Sequence, residues 1–342
     1  MSGRAPVKPI RVALVYLDDA SFVRTDRGIL RSAFHVLDVP CKGKRAIPRI
    51  VSGVLRSDVA FSWFALDHAY GACRVARLSG KRSLVVVGGL DAAKRPDLNY
   101  GSNLDPAMSR RTRYTLSHSD RVLLVDDHLR GEIARNVGVE RTDSITVPLG
   151  FDTEWYSPNA GPRSTVLTVG IVTPTNILRK GLDVFVEAAR RLPELAFVLV
   201  GGRANEATER LRQIAPPNLQ ILDRLSEEAL REQFRRARVY AQLSRYEAFG
   251  SALGEAMACG CVPVGTRVGG IATLIGEVGY LVPEGDPEVT AAAIQQAYAS
   301  GNGHNARRRI LERFSLDQRR RALTEIVEGL AGGEHPGGVG RR

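Results

Sequence analysis

The densest chemistry in the sequence lies in residues 245–260, RYEAFGSALGEAMACG. Glu247 and Glu255 stand eight apart. Between them, Gly250 and Ser251 open an apolar run that predicts a helix over 251–258. Such a helix start presents free backbone N–H groups and a partial positive charge, which suit a phosphate. A carboxylate about one turn along the helix can accept two hydroxyl hydrogen bonds from a ribose. A carboxylate just before it can reach the hydroxyls of a sugar beyond a diphosphate. The arrangement suits a nucleotide-sugar. On spacing alone, an N-capping acid and a solvated helix glutamate are the commoner explanation.

The elements that must position these groups follow a regular alternation. Short apolar runs at 12–17, 58–64, 83–87, 121–125 and 144–147 read as strands. Helix-like stretches at 29–37, 68–78, 107–117 and 128–137 lie between them. Residues 152–163 are polar, with Pro158, Gly161 and Pro162, and read as a linker. A second series has strands at 165–169, 196–200, 218–222, 239–242 and 262–264. Its helices fall at 182–192, 227–236, 251–258, 287–300, 306–313 and 316–330. Strand–helix alternation of this kind predicts α/β architecture with two doubly wound parallel sheets in tandem. In such sheets ligands bind at the carboxyl ends of the strands.

One segment carries a family resemblance. Glu247-Ala-Phe-Gly through Glu255-Ala-Met-Ala-Cys-Gly-Cys-Val-Pro-Val, followed by Gly269-Gly270-Ile271, resembles the donor-binding part of retaining GT-B glycosyltransferases of family 4 (glycosyltransferases group 1). The Glu-x7-Glu spacing is that family's signature. The resemblance extends to Arg179-Lys180-Gly181-Leu182-Asp183, Val200-Gly201-Gly202, Gly279-Tyr280-Leu281-Val282 and the helix with Phe314-Ser315. It spans residues 144–330, and over 10–143 it is mostly architectural. It implies two Rossmann-like domains, 10–155 for the acceptor and 163–313 for the donor, facing a cleft. A helix over 314–330 would cross back to the first domain. Residues 1–9 and 331–342 are expected to be disordered ends.

The resemblance also implies roles. Glu255 would hold the ribose hydroxyls and Glu247 those of the donor sugar. Amides of Phe249, Gly250, Ser251 and Ala252 would serve the sugar and diphosphate. Lys180, read as following a strand and opening a helix, would neutralise the leaving diphosphate, whose growing charge needs a cation. Family members usually carry an arginine directly after the preceding strand glycine. Here Ile171 follows Gly170, so Arg179 or Asn176 is expected to fill that role. Base-reading residues are expected around Gly202 (residues 202–205) and residues 223–225. In the first domain, Gly88 and Gly89 stand where many members have a histidine, followed by Asp91 and then Asn99-Tyr100-Gly101. The glycines, Asn99 and Tyr100 would admit the acceptor and Asp91 would face a sugar. Gly28 would lie in a glycine loop touching the donor phosphate. Ordinary turns and helix caps explain these glycines as readily. His118 and His128 flank a strand and read as surface or packing residues.

Composition narrows the class. The chain has 342 residues and four scattered cysteines, too few for a disulfide framework. No secretory leader or apolar stretch of about 20 residues stands out. The expectation is a cytoplasmic protein. No Gly-x-Gly-x-x-Gly follows a strand, and neither a P-loop nor an Asp-x-Asp triplet occurs, so dinucleotide, P-loop and metal-dependent chemistry are not expected. No cofactor is implied; a nucleotide-sugar would be a co-substrate.

Charge is the remaining clue. Residues 1–150 hold 24 Lys and Arg against 15 Asp and Glu; residues 151–342 hold 24 against 22. Basic clusters fall at Lys42/Lys44/Arg45, Arg110/Arg111/Arg113, Arg235/Arg236/Arg238, 307–309 and 319–321. They read mostly as solvated faces. With aromatics at 6%, they lack the stacking residues of a nucleic-acid groove. The excess in the first half suits an anionic acceptor or peripheral docking on the anionic inner face of a membrane. The acceptor itself is open: a glycan, a lipid-linked sugar or a small molecule. Rival classes are another GT-B enzyme, such as an epimerase, and a non-catalytic nucleotide-sugar-binding or partner subunit.

Overall fold

A computed structural model describes residues 9–43 and 45–333. The expectations for residues 1–8, for Lys44 and for the tail from 334 onward lie outside them. The chain forms two units, one of Met1–Pro148 with Asp317–Arg342 and the other of Leu149–Leu316. Residues 152–163, read as a linker, therefore belong to the second unit.

The first unit runs β1 (Arg11–Tyr16), α1 (Ser21–Ala33), β2 (His35–Pro40), α2 (Ala46–Leu55), β3 (Val59–Trp63), α3 (Asp67–Leu78), β4 (Arg82–Val87), α4 (Pro106–His118), β5 (Arg121–Leu124), α5 (His128–Val137) and β6 (Ile145–Thr146). Its six strands are all parallel, in the order β2-β1-β3-β4-β5-β6. The central strands are buried on both faces, as a parallel sheet under helices requires; Val12–Val15 and Val59–Phe61 are sealed from solvent. The predicted helix at 29–37 is corrected. Helix α1 starts at Ser21, and residues 35–40 form the edge strand β2. Strand β2 lies at the sheet edge, a position that tolerates its closing Pro40.

The second unit runs β7 (Thr165–Val169), α6 (Pro174–Arg179), α7 (Leu182–Arg191), β8 (Ala196–Gly202), α8 (Glu206–Ile214), β9 (Leu219–Asp223), α9 (Glu227–Arg236), β10 (Ala237–Gln242), α10 (Ser251–Ala258), β11 (Val262–Thr266), α11 (Gly269–Ile275), β12 (Tyr280–Val282), α12 (Pro287–Ser300) and α13 (Gly303–Arg313). Its sheet is again all parallel, ordered β12-β11-β10-β7-β8-β9. Both units are doubly wound Rossmann-like folds. The strand order reverses between β1 and β3 in one sheet and between β7 and β10 in the other. Those switch points leave the crevices in which such folds bind ligands.

The closing helix α14 (Leu316–Ala331) belongs to the first unit from Asp317 on. Its Arg319 is buried beside fully buried Asp26 of α1. Arg319 Nε and Nη2 donate to the two Asp26 oxygens at 2.6 and 2.7 Å, and Nη1 donates to the carbonyls of Val147 and Pro148 at 2.8 and 2.7 Å. Trp63 Nε1 donates to the same carboxylate at 3.0 Å.

The arginine clusters correct another expectation. Many of these side chains are not solvated; they saturate backbone carbonyls. Arg307 donates to Thr153 and Tyr156 at 3.0 and 2.9 Å and to Ala258. Arg309 donates to Leu274 and Thr273, and Arg235 to Ser157; Arg163, outside the clusters, does the same for Ala237. Five N–H donors in a fixed fork suit this task better than a lysine does.

Candidate functional site

In the second unit, chain leaving the two strands at the switch point supplies the candidate residues. After β7, Thr173 caps α6 by accepting from the Asn176 amide at 3.2 Å. After β10 the chain passes Ser244 and reaches Glu247. Lys180 Nζ pairs directly with Glu247 Oε2. Gln242 Nε2 (3.2 Å) and Ser244 Oγ (3.4 Å) donate to that same oxygen. Burial pushes the Glu247 carboxyl up, but the Lys180 ammonium and its hydrogen bond outweigh this, and the carboxyl stays below its ordinary range. Glu247 is thus an ionised carboxylate held by three donors.

The expectation that Lys180 follows a strand and opens a helix is corrected. Lys180 is the residue that ends α6. Helix α7 begins only after Gly181, whose φ of 63° is left-handed and whose Cβ, if present, would strike the Leu243 carbonyl. That tight turn brings Lys180 to Glu247. Asn176 and Arg179 lie together: the guanidinium donates twice to Asn176 Oδ1, at 3.1 and 2.8 Å. Arg179 also exerts its charge on Glu247.

Gly250 is the N-cap of α10, with a φ of 103° and no side-chain hydrogen bond. The amides of Ser251 and Ala252 are therefore left for an outside acceptor. Phe249 points inward instead, its ring 6.2 Å from that of Phe151 and 5.8 Å from that of Phe314. Only its backbone can meet a ligand. Gly202 is the last residue of β8; a Cβ there would press on Asp223 Oδ1 at 2.7 Å.

Glu255 lies on α10 and is bonded by the Tyr156 hydroxyl, a partner inside the segment read as a linker. Aromatic spacing gave no hint of it. Burial pushes the Glu255 carboxyl up to about 8, with the Tyr156 bond opposing and Glu227 adding a smaller push. Between about 4.5 and about 8 the folded protein therefore holds a proton that the unfolded chain releases. That stabilisation is complete below the unfolded value and disappears as pH rises through about 8. The second unit's melting temperature should fall over this window. In Glu255→Gln, which mimics the protonated form, thermal scans should show a flatter profile; an unchanged slope would refute the assignment.

The first unit answers differently. Asp91 is fully buried. Its oxygens accept from the amides of Ala65 (2.7 Å), Gly88 (3.1 Å) and Gly89 (2.9 Å). Burial still pushes it up to about 6. The expectation that Asp91 faces a sugar is thus corrected: it shapes the turn of Gly88 and Gly89 from behind. Gly28 is corrected too. It sits exposed within α1, not in a loop, and open space surrounds it. Asn99 adopts a left-handed φ of 46° to close a short turn, while Arg95 and Tyr100 pair through their backbones. Asn103 Nδ2 ties that loop to the Asp91 carbonyl at 2.8 Å.

Two features at this sheet's carboxyl edge escaped the sequence reading. Phe64, just after β3, holds a φ of 65°, which is rare for a bulky residue and marks stored strain. Its ring packs against Phe22 and Trp63, both at centroid distances of 5.8 Å. After β5, His128 Nδ1 bonds Asp126 Oδ1 at 2.7 Å, which orients the imidazole. His118, by contrast, stacks on Tyr114 at 4.1 Å.

Two doubly wound parallel units, the second with an uncapped helix start at its switch point, define the GT-B fold. Residues 163–300 match the family model described as glycosyl transferases group 1, and this segment belongs to that family. Among solved structures, sucrose-phosphate synthase from Thermosynechococcus elongatus superposes with a TM-score of 0.77 at 17% identity, over 95% of this chain and 100% of that one. HepE of Anabaena, solved in complex with UDP and glucose, gives 0.77 at 13% identity, over 94% and 100%.

Curated relatives are more similar in sequence. The phosphatidyl-myo-inositol mannosyltransferase of Mycobacterium tuberculosis is 30% identical over 167 residues, 45% of this chain and 43% of that protein. The D-inositol 3-phosphate glycosyltransferase of Mycobacteroides abscessus is 28% identical over 231 residues, 60% and 50%. The matches span about half the length of these curated relatives.

Proposed function

We propose that the protein moves a glycosyl group from a nucleoside-diphosphate sugar to an acceptor hydroxyl, retaining the anomeric configuration. The observation that carries this reading is the convergence at one switch point of the Lys180–Glu247 pair, the uncapped start of α10 and Glu255 with Tyr156. The α10 amides, Lys180 and Arg179 supply the positive charge that a departing diphosphate needs, so the transfer is read as metal-independent. As the anomeric C–O bond to the diphosphate breaks, a diphosphate oxygen takes the acceptor proton, and the new C–O bond forms on the same face. The protein's part is orientation and anion stabilisation. The names of the relatives favour an inositol-containing or glycolipid acceptor, and the HepE complex favours a uridine nucleotide.

A second reading, binding without turnover, draws on one observation. Asp91 is sealed away, and glycines stand where a histidine is common. Incubation with UDP-, GDP- and ADP-sugars and inositol-type acceptors separates the two. Release of nucleoside diphosphate with a glycosylated product supports transfer; saturable binding with no release supports the rival. Glu255→Ala should weaken nucleotide binding by roughly ten- to a hundredfold in calorimetry, the loss of two hydrogen bonds between its carboxyl and the ribose hydroxyls. Unchanged affinity would remove Glu255 from the ribose.

A further inference from the structure

Helix α2 of the first unit is apolar on more sides than its packing uses. Ile50, Gly53 and Val54 face inward, and the helix lies so close to β2 that a Cβ on Gly53 would collide with Val39. Ile47, Val51 and Leu55, four residues apart and so on one face, point outward with 74%, 37% and 49% exposure. They are three of the five large apolar side chains exposed among the described residues of this unit. A second stripe along the same helix, Arg45, Arg49, Ser52 and Arg56, lines a groove of about 420 Å³ against residues 37–39. None of the three arginines makes an ion pair among the described residues. The one acid in that groove, Asp38, is already engaged by Arg27 and Arg31.

An apolar stripe beside unneutralised arginines is the pattern of a helix that lies in the plane of an anionic lipid surface. The apolar residues enter the acyl boundary while the guanidiniums take lipid phosphates. No described helix is long and apolar enough to cross a membrane, so this would be contact with one leaflet. We infer that α2 docks the protein on anionic phospholipid through Ile47, Val51 and Leu55, with Arg45, Arg49 and Arg56 binding the headgroup phosphates. The chemistry fits phospholipid better than an acidic protein, because the apolar stripe is narrow and shallow while the charge is spread along the whole helix. The inference stands whether or not the proposed transfer is correct.

The test is cosedimentation of the full chain with vesicles of phosphatidylcholine alone and of an equimolar mixture with phosphatidylglycerol. Wild-type protein should bind the mixed vesicles at ~0.1 M salt and far less at ~1 M, where charge is screened within a few ångströms. Arg49→Gln with Arg56→Gln should weaken partitioning about twenty-five-fold, roughly fivefold per arginine. Ile47→Ser with Leu55→Ser should also weaken it. Both double variants should keep the wild-type calorimetric transition of the first unit, which shows that the unit carrying α2 folds, and the wild-type nucleotide affinity, which separates this result from a failure of the donor site. The inference is overturned if wild-type protein ignores anionic vesicles, binds neutral ones equally well, or binds undiminished in either double variant.

Discussion

Lys180→Ala is expected to lower kcat by about a hundred- to a thousandfold, the usual cost of one donor aimed at developing anionic charge. The structure adds a condition to this role. Lys180 is engaged by Glu247, so an arriving diphosphate must compete with a carboxylate for the ammonium. The two residues assigned to leaving group and sugar therefore neutralise each other until a donor separates them. A second expectation follows. Glu247→Gln should free Lys180 and tighten binding of free nucleoside diphosphate by roughly fivefold, the worth of a partly screened ion pair. Its turnover should nonetheless fall, because the sugar hydroxyls lose their carboxylate. Titration calorimetry on both variants, beside single-turnover rates, checks the pair. Full activity in Lys180→Ala, or weaker diphosphate binding in Glu247→Gln, would contradict the assignment.

Arg319→Ala should destabilise the first unit by about 3–5 kcal/mol, the range for removing one partner of a buried pair. Asp26 would then be a fully buried carboxylate with only the Trp63 N–H left of these partners, and the Val147 and Pro148 carbonyls would lose their donor. In differential scanning calorimetry the first unit's transition should drop by about 10 °C. The second unit's transition, and nucleotide binding there, should be spared. Arg319→Lys should rescue little, since an ammonium cannot bridge both carboxylate oxygens and two carbonyls at once. A loss below about 1 kcal/mol would mean that water or a neighbour replaces the guanidinium.

The second unit was the more legible in sequence. The predicted helices at 227–236, 251–258 and 287–300 coincide with α9, α10 and α12, and the predicted strand at 165–169 coincides with β7. Each has a clear period, and Ser226 and Asp286 cap two of these helices with side-chain hydrogen bonds. Helix α2 was not seen because Pro48, Gly53 and β-branched residues blur its pattern, and Arg45 caps it with no side-chain bond. Helix α6 is six residues long, too short to show a period. In the site, the Glu-x7-Glu segment announced itself through local spacing. Tyr156 and the Lys180–Glu247 contact are products of tertiary approach, which local spacing does not encode. Asp91 misled for a related reason: polarity beside two glycines looks the same whether a carboxylate faces a ligand or ties down its own backbone.

The Asp26–Arg319 pair joins residues 293 apart in the chain. During synthesis, Asp26 leaves the ribosome long before its partner exists. Closing so long a loop is entropically costly, so a nascent first unit must wait with an unmatched acid at its centre. The second unit, continuous from Leu149 to Leu316, faces no such delay and can finish first. Although its sequence comes first, the first unit is completed last, and a ribosome stalled before residue 319 would leave it exposed to chaperones and proteases.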